Sequence, residues 1–250
     1  MIKVYEALQH IREEEESSVM KGAVRSEEKL TLEFGKRPEW SPPKMDKEMG
    51  RLYQSLMALL PDSSRHIIQF MSSRTEEGNS TIVGEFGRVL VQTIKKPVLL
   101  VDVGPSRVDQ HRMFGVLPGV PLQHIMADGG ALDPAIVQVK DSLLFVARLF
   151  GERGFHTTSN FSEMAKDLWA QLCKQFPFIL LDCPPLNVSE EAMGLCASVD
   201  GIVIVLEAEK TNFQVVSNLK DRIAQSGGSI LGVVFNKQRY YIPEWMYKHF

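Results

Sequence analysis

The chain has 250 residues, 44% hydrophobic and 24% charged, with a formal net charge of −3. That balance fits one α/β core with extensions, and it argues against nucleic acid as a partner. No run approaches the ~18 apolar residues of a membrane span, and the opening MIKVYEALQHIREEEE lacks a secretory leader's apolar region, so a cytoplasmic chain without direct membrane insertion is expected.

Residues 2–16 read as an amphipathic helix with Val4, Leu8 and Ile11 on one stripe, followed by Glu13 to Glu16. It is either a solvated helix end or a docking helix for a partner. Residues 17–44 carry no periodicity, and with PEWSPPK they read as a linker. An N-terminal helix and linker, 1–44, thus precede a domain over 45–250. Residues 45–60 are helical, with Met49, Leu52, Leu56 and Leu59 at helical spacing and Pro61 as the stop. From His66 short apolar runs alternate with helical stretches. The strands are HIIQFMS, PVLLVD, one or two within QVKDSLLFVARL, then FILLD, GIVIVLEA and ILGVVFN. The helices between them are STIVGEFGRVLVQTI, SEMAKDLWAQLCKQF and TNFQVVSNLKDRIAQSGG. Strands this apolar are buried on both faces, which predicts a three-layer α/β/α fold: a parallel sheet with helices on both faces.

Four strand ends carry the candidate chemistry. After the first strand comes SSRTEEGNST and then a helix, the strand–loop–helix position of a phosphate-binding P-loop, G-x-x-x-x-G-K-S/T. Ser73 stands at the first glycine, Gly78 at the second, Asn79 at the lysine and Ser80 at the magnesium-binding hydroxyl. Ser73, Arg74, Thr75, Glu76, Glu77, Gly78, Asn79, Ser80 and Thr81 are therefore candidate nucleotide contacts. Backbone N–H groups at the helix start still suit an anion. A lysine ~4 Å from phosphate at an effective dielectric of ~20 is worth roughly 4 kcal/mol, so its loss predicts a rate on the order of a hundred- to a thousandfold lower. Asp102 ends the second strand, as a candidate base or as a helix cap. Asp182 ends FILLD before Pro184 and Pro185, the Walker-B position that holds magnesium. Asn236 ends the last strand, as an adenine contact or a turn residue. Cys173, Cys183 and Cys196 form no CxxC pair and read as free thiols; His66 and His111 lack a second ligand at metal spacing.

These elements in this order resemble the bacterial tyrosine autokinases of capsule and exopolysaccharide synthesis, in the ParA/MinD-like branch of P-loop proteins. The resemblance covers roughly residues 45–250. VLLVDVGPSRVDQHRMFG is similar to the family's VLLIDADLRRPSLHRLFG, and ILLDCPP to IIIDTPP. EMGRLYQSL resembles the E-x-x-R-x-x-R helix of ring assembly, with Glu48 and Arg51 matching and Gln54 in place of the last arginine. The resemblance implies ATP or ADP with magnesium at Ser80 and Asp182, a homo-oligomer, and a membrane chain-length co-polymerase whose cytoplasmic segment the chain binds at the inner face of the membrane. Where the family reads P-G-E-G-K-S-T this chain reads TEEGNST, and the second aspartate of D-A-D is Gly104. The tail YYIPEWMYKHF holds only Tyr240, Tyr241 and Tyr247, with Pro243 and Trp245 suggesting packing. A kept scaffold with lost catalytic groups predicts a pseudokinase, possessing nucleotide or none at all. Two readings stand beside it. One is an active kinase taking a substitute cation from Arg74, Arg107 or a neighbouring subunit, with Asp102 as base and Asp182 on magnesium; the other is a nucleotide sensor without turnover.

Overall fold

A computed structural model describes residues 45–60, 63–104, 109–128, 130–151 and 161–238. The chain divides into the units Met1–Trp40 and Ser41–Phe250, and every described residue lies in the second. The predicted helix and linker over 1–44, Arg107 and the three tail tyrosines fall outside the described residues.

In chain order the elements are α1 (Asp46–Leu59), β1 (His66–Ser72), α2 (Asn79–Ile94), β2 (Val98–Asp102), α3 (Asp109–Phe114) and α4 (Leu122–Asp128). They continue with β3 (Val137–Gln138), β4 (Leu144–Arg148), α5 (Phe161–Leu172), β5 (Phe178–Asp182), β6 (Gly201–Glu207), α6 (Phe213–Gln225) and β7 (Ile230–Asn236). Short 3-10 helices cover Asp133–Ala135 and Glu191–Ser198. The seven strands form one sheet in the order β3-β4-β2-β5-β1-β6-β7. All pairings are parallel except that of β3 with β4.

Alternation along the inner strands sorts the core into two layers. Ile68, Phe70, Leu100, Leu180, Val203 and Val205 face one way, onto Ile82, Val83, Phe86 and Leu90 of α2 and Met49 and Leu56 of α1. Ile67, Leu99, Val101, Ile179, Leu181 and Ile204 face the other way, onto Leu168, Trp169 and Leu172 of α5 and Leu219 and Ile223 of α6. This is the predicted sheet with helices on both faces. Two details differ from expectation. QVKDSLLFVARL contains β4 and the second residue of β3, a two-residue strand antiparallel to β4, because Lys140 at φ +47° turns the chain back on itself. SEMAKDLWAQLCKQF stays helical only to Leu172, and turns lead from there to Pro177 and β5.

Gly87 lets α2 approach the sheet closely: a Cβ there would lie 2.7 Å from a Leu100 methyl carbon. Leu100 is fully buried, so Leu100→Ala is expected to lower stability by about 2–5 kcal/mol. Leu117, more than half exposed, should tolerate alanine within about 0.5 kcal/mol. Urea denaturation of both variants checks the layer assignment; equal midpoints would contradict it.

Candidate functional site

The site lies at the carboxyl ends of β1, β2, β5 and β7. Between β1 and α2 the chain makes a tight loop. Glu76 at φ +66° and Gly78 at φ +91° both adopt the left-handed region. At Gly78 that freedom is required twice over, because a Cβ would lie 2.1 Å from the Asn236 Nδ2 atom. Glu77 is buried and braces the loop from within. Its carboxylate accepts from the Ser73 amide at 2.7 Å, the Arg74 amide at 2.9 Å and the Thr211 hydroxyl at 2.6 Å. Asn236 donates to the Glu77 carbonyl at 2.9 Å and accepts from the Lys237 amide at 2.9 Å. Its amide thus anchors the loop to β7. Arg74, Thr75 and Glu76 are exposed on the loop, and Ser80 and Thr81 open α2 half-buried.

Asn79, at the lysine position, is buried and turned toward β5. Its Nδ2 donates to Asp182 Oδ1 at 2.8 Å, to the Cys183 carbonyl at 3.2 Å and to the Phe70 carbonyl at 3.3 Å. The other carboxylate oxygen of Asp182 accepts from Gln110 Nε2 at 2.8 Å, and Gln110 Nε2 also donates to the Ser80 carbonyl at 2.8 Å. Burial pushes the Asp182 carboxyl up to about 7, and repulsion by Asp102 adds to it; hydrogen bonds from Gln110 and Ser80 partly offset both. The sequence motifs pass over Gln110. Its signal is the family motif itself, which has leucine at that place.

Asp102 lies directly opposite Asp182 across the β2–β5 pairing. It accepts from the Gln110 amide at 3.1 Å, and so caps the start of α3, and its other oxygen meets His111 Nδ1 at 2.7 Å. The Gln110 amide on its carboxylate gives Asp102 the geometry of a helix cap. His111 is fully buried, and burial, with Arg148 adding, pushes its imidazole down to about 3. The neutral ring donates its Nδ1 proton to Asp102, while Nε2 has no partner. The Ser80 hydroxyl lies 3.4 Å from an Asp109 carboxylate oxygen. Lys237, also unmarked by the motifs, brings its ammonium to the Glu76 carbonyl at 2.5 Å and within 3.6 Å of Glu207.

Not every candidate residue joins this cluster. Glu48, Arg51 and Gln54 are exposed together on α1, on the side away from buried Met49 and Leu56. Cys183 and Cys196 are buried and Cys173 half-buried, all as free thiols. No helix among the described residues is long and apolar enough to cross a membrane. Among those residues no group of three or more His, Cys, Asp or Glu side chains converges as a metal set.

Two buried groups titrate with opposite signs. The Asp182 carboxyl is raised from 3.8 to about 7, so its stabilising contribution is complete below pH 4 and lost as pH rises to 7. His111 is lowered from 6.5 to about 3, so its contribution is complete above pH 6.5 and lost as pH falls toward 3. Between about pH 4 and 6.5 the two slopes oppose each other. Relative to the native chain, Asp182→Asn should therefore gain stability as pH rises across that window, and His111→Gln should lose it. Urea midpoints at four pH values between 4.5 and 7.5 test this; parallel profiles for all three proteins would contradict the burial of both groups.

No family model matches the chain. Among curated proteins it is 25% identical over 171 residues to the tyrosine-protein kinase CapB of Staphylococcus aureus, covering 66% of this chain and 72% of CapB. It is 23% identical over 178 residues to the tyrosine-protein kinase YwqD of Bacillus subtilis, covering 71% and 75%. A longer match, 26% over 223 residues, joins it to a cytosolic Fe-S cluster assembly factor NUBP1 homolog of Caenorhabditis elegans, covering 84% and 64%. In fold it is similar to the kinase domain of the Escherichia coli tyrosine kinase ETK, with TM-score 0.65, 19% identity and 79% of each chain covered. It is also similar to the chimerical protein CapA2B2, with TM-score 0.67, 22% identity and coverage of 81% and 88%. By sequence the chain is similar to bacterial tyrosine-protein kinases, and its α/β fold is that of the kinase domain of one of them.

Proposed function

We propose that the chain is a kinase-like regulator of capsule or exopolysaccharide synthesis that holds ATP or ADP at the β1–α2 loop without efficient phosphotransfer. One observation carries this reading. The side chain at the lysine position is the buried amide of Asn79, and it is engaged by Asp182, Cys183 and Phe70. An amide supplies no net charge to a γ-phosphate, so the transition state loses its main cation at this point. The loop itself keeps its turn through Glu77 and Asn236, which supports retained recognition of a polyphosphate by backbone N–H groups at the start of α2.

The regulator acts through partners. Its homologues are tyrosine-protein kinases, and the family implies a membrane co-polymerase whose cytoplasmic segment holds such a chain at the inner face of the membrane. Glu48 and Arg51, exposed on α1, are the candidate contacts of a homo-oligomer. The Fe-S assembly match finds less support in the residues. The three cysteines form no CxxC pair, two of them are buried, and thiolate-held clusters need converging cysteines.

The native chain, assayed for ATP hydrolysis and tyrosine phosphorylation beside YwqD, is expected to turn over at less than about one-hundredth of the YwqD rate, the loss calculated for one missing phosphate-bound cation. Turnover within threefold of YwqD would overturn the inactive reading and favour an active kinase drawing its cation from Arg74 or Lys237. Calorimetry with ADP separates the remaining cases: measurable heat supports a nucleotide-holding regulator, and silence at millimolar ligand leaves a partner protein without nucleotide.

A further inference from the structure

We propose that Asn79 and Gln110 together lock Asp182 against a divalent cation, so that the loop takes the polyphosphate of a nucleotide free of magnesium. The inference rests on the nucleotide-holding reading above and concerns how that same site is charged.

Asp182 is the acidic side chain that a P-loop scaffold would turn to magnesium. Here each of its carboxylate oxygens faces an N–H donor: Oδ1 takes Asn79 Nδ2 and Oδ2 takes Gln110 Nε2, both at 2.8 Å. The donors are themselves tied down. Asn79 Nδ2 also reaches the Cys183 and Phe70 carbonyls, and Gln110 Nε2 also reaches the Ser80 carbonyl. The Gln110 backbone is held by Asp102 through its own amide. Asn79 is 5% exposed and Gln110 is fully buried, so water cannot readily replace either donor. Magnesium demands near-octahedral oxygen ligands and sheds its waters reluctantly. At Asp182 it would meet two N–H dipoles with their positive ends outward. Admitting it means turning both amides away, which strands buried donors.

Among the described residues, none nearby replaces the lost ligand. Gly104 stands where the family motif has its second aspartate. Asp109 approaches the Ser80 hydroxyl from the start of α3, but no metal set of three acidic or His/Cys side chains forms among the described residues. The two donors also belong together: the Asn79 amide holds one oxygen of Asp182 and leaves the other for a second donor, and Gln110 supplies it. The family motif has leucine at that position, where no donor is needed.

The test uses the full chain and manganese as the probe, read by water-proton relaxation with and without ADP. Native protein is expected to bind manganese no better than about millimolar, and its ADP affinity by calorimetry should change less than threefold between magnesium and EDTA buffers. Asn79→Lys alone should tighten ADP while leaving that insensitivity in place. The Asn79→Lys, Gln110→Leu double variant should bind manganese with ADP at least tenfold more tightly than native chain. Far-ultraviolet dichroism and urea midpoints confirm that each variant folds. Native chain that binds manganese as well as the double variant overturns the lock, as does ADP binding that weakens tenfold in EDTA. A folded double variant that gains no manganese overturns it too. Failure of the nucleotide reading looks different: the native chain gives no ADP heat in either buffer, while the manganese comparison between native and double variant still decides the lock.

Discussion

A carboxylate buried at the centre of a sheet must meet either a positive charge or enough hydrogen-bond donors, and among the described residues Asp182 meets donors alone. Its position is fixed by β5, which runs between β2 and β1, so strand pairing sets Asp182 beside Asp102 on one side and Phe70 on the other. Two acidic side chains therefore end adjacent central strands in register. Their needs are met by two consecutive residues of α3. Gln110 gives its backbone amide to Asp102 and its side chain to Asp182, and His111 meets the second oxygen of Asp102. The short α3 helix and the loop residue Asn79 thereby become parts of one polar network buried beneath the P-loop.

That network has a consequence for charge. Lysine at position 79 would bring an ammonium to the polyphosphate and to Asp182 at once. Asparagine satisfies the carboxylate by hydrogen bonding and adds no charge. The carboxyl of Asp182 is pushed upward by burial and by Asp102, as expected of an acid whose neighbours offer dipoles in place of a cation. His111 follows the same logic with opposite sign: burial drives it neutral, which suits a ring that donates one proton to a carboxylate. Among the described residues, the cations Arg74 and Lys237 sit at the loop's surface, where water screens them.

The fold was largely legible in the sequence. Buried parallel strands are apolar runs, and β1, β2, β5 and β6 fit that expectation; β7 is as apolar but lies at the sheet edge with Val233 and Phe235 exposed, so burial on both faces fails there. The antiparallel direction of β3 escaped because two residues hold no periodicity, and α3 and α4 escaped because six- and seven-residue helices show less than two full turns of amphipathic spacing. Asp102, Asp182 and Asn236 end strands and Asn79 opens α2, and the sequence motifs mark all four. Their partners were not. Gln110 is 72 positions from Asp182, and Lys237 is 161 from Glu76, so only the sheet order brings them together. Asn236 shows the same limit from the other side. Its place at the end of β7 suggested a base contact, while the close approach of Gly78 makes it a loop anchor.

Loop shape and loop charge are encoded by different residues here, and that separation explains how one survives without the other. The turn depends on Glu77, which gathers Ser73, Arg74 and Thr211, on Asn236, which ties the Glu77 carbonyl to the last strand, and on the absent side chain of Gly78. None of these contacts involves the side chain at position 79. Replacing lysine there removes charge from the ligand's side of the loop and leaves its brace untouched. The change does expose Asp182 to the penalty of an unneutralised buried carboxylate, and that penalty is local. It is relieved by one further donor in reach of Asp182, which Gln110 provides from α3. A loop of this shape can therefore stand with an uncharged side chain at position 79 while the surrounding sheet and helices keep their packing.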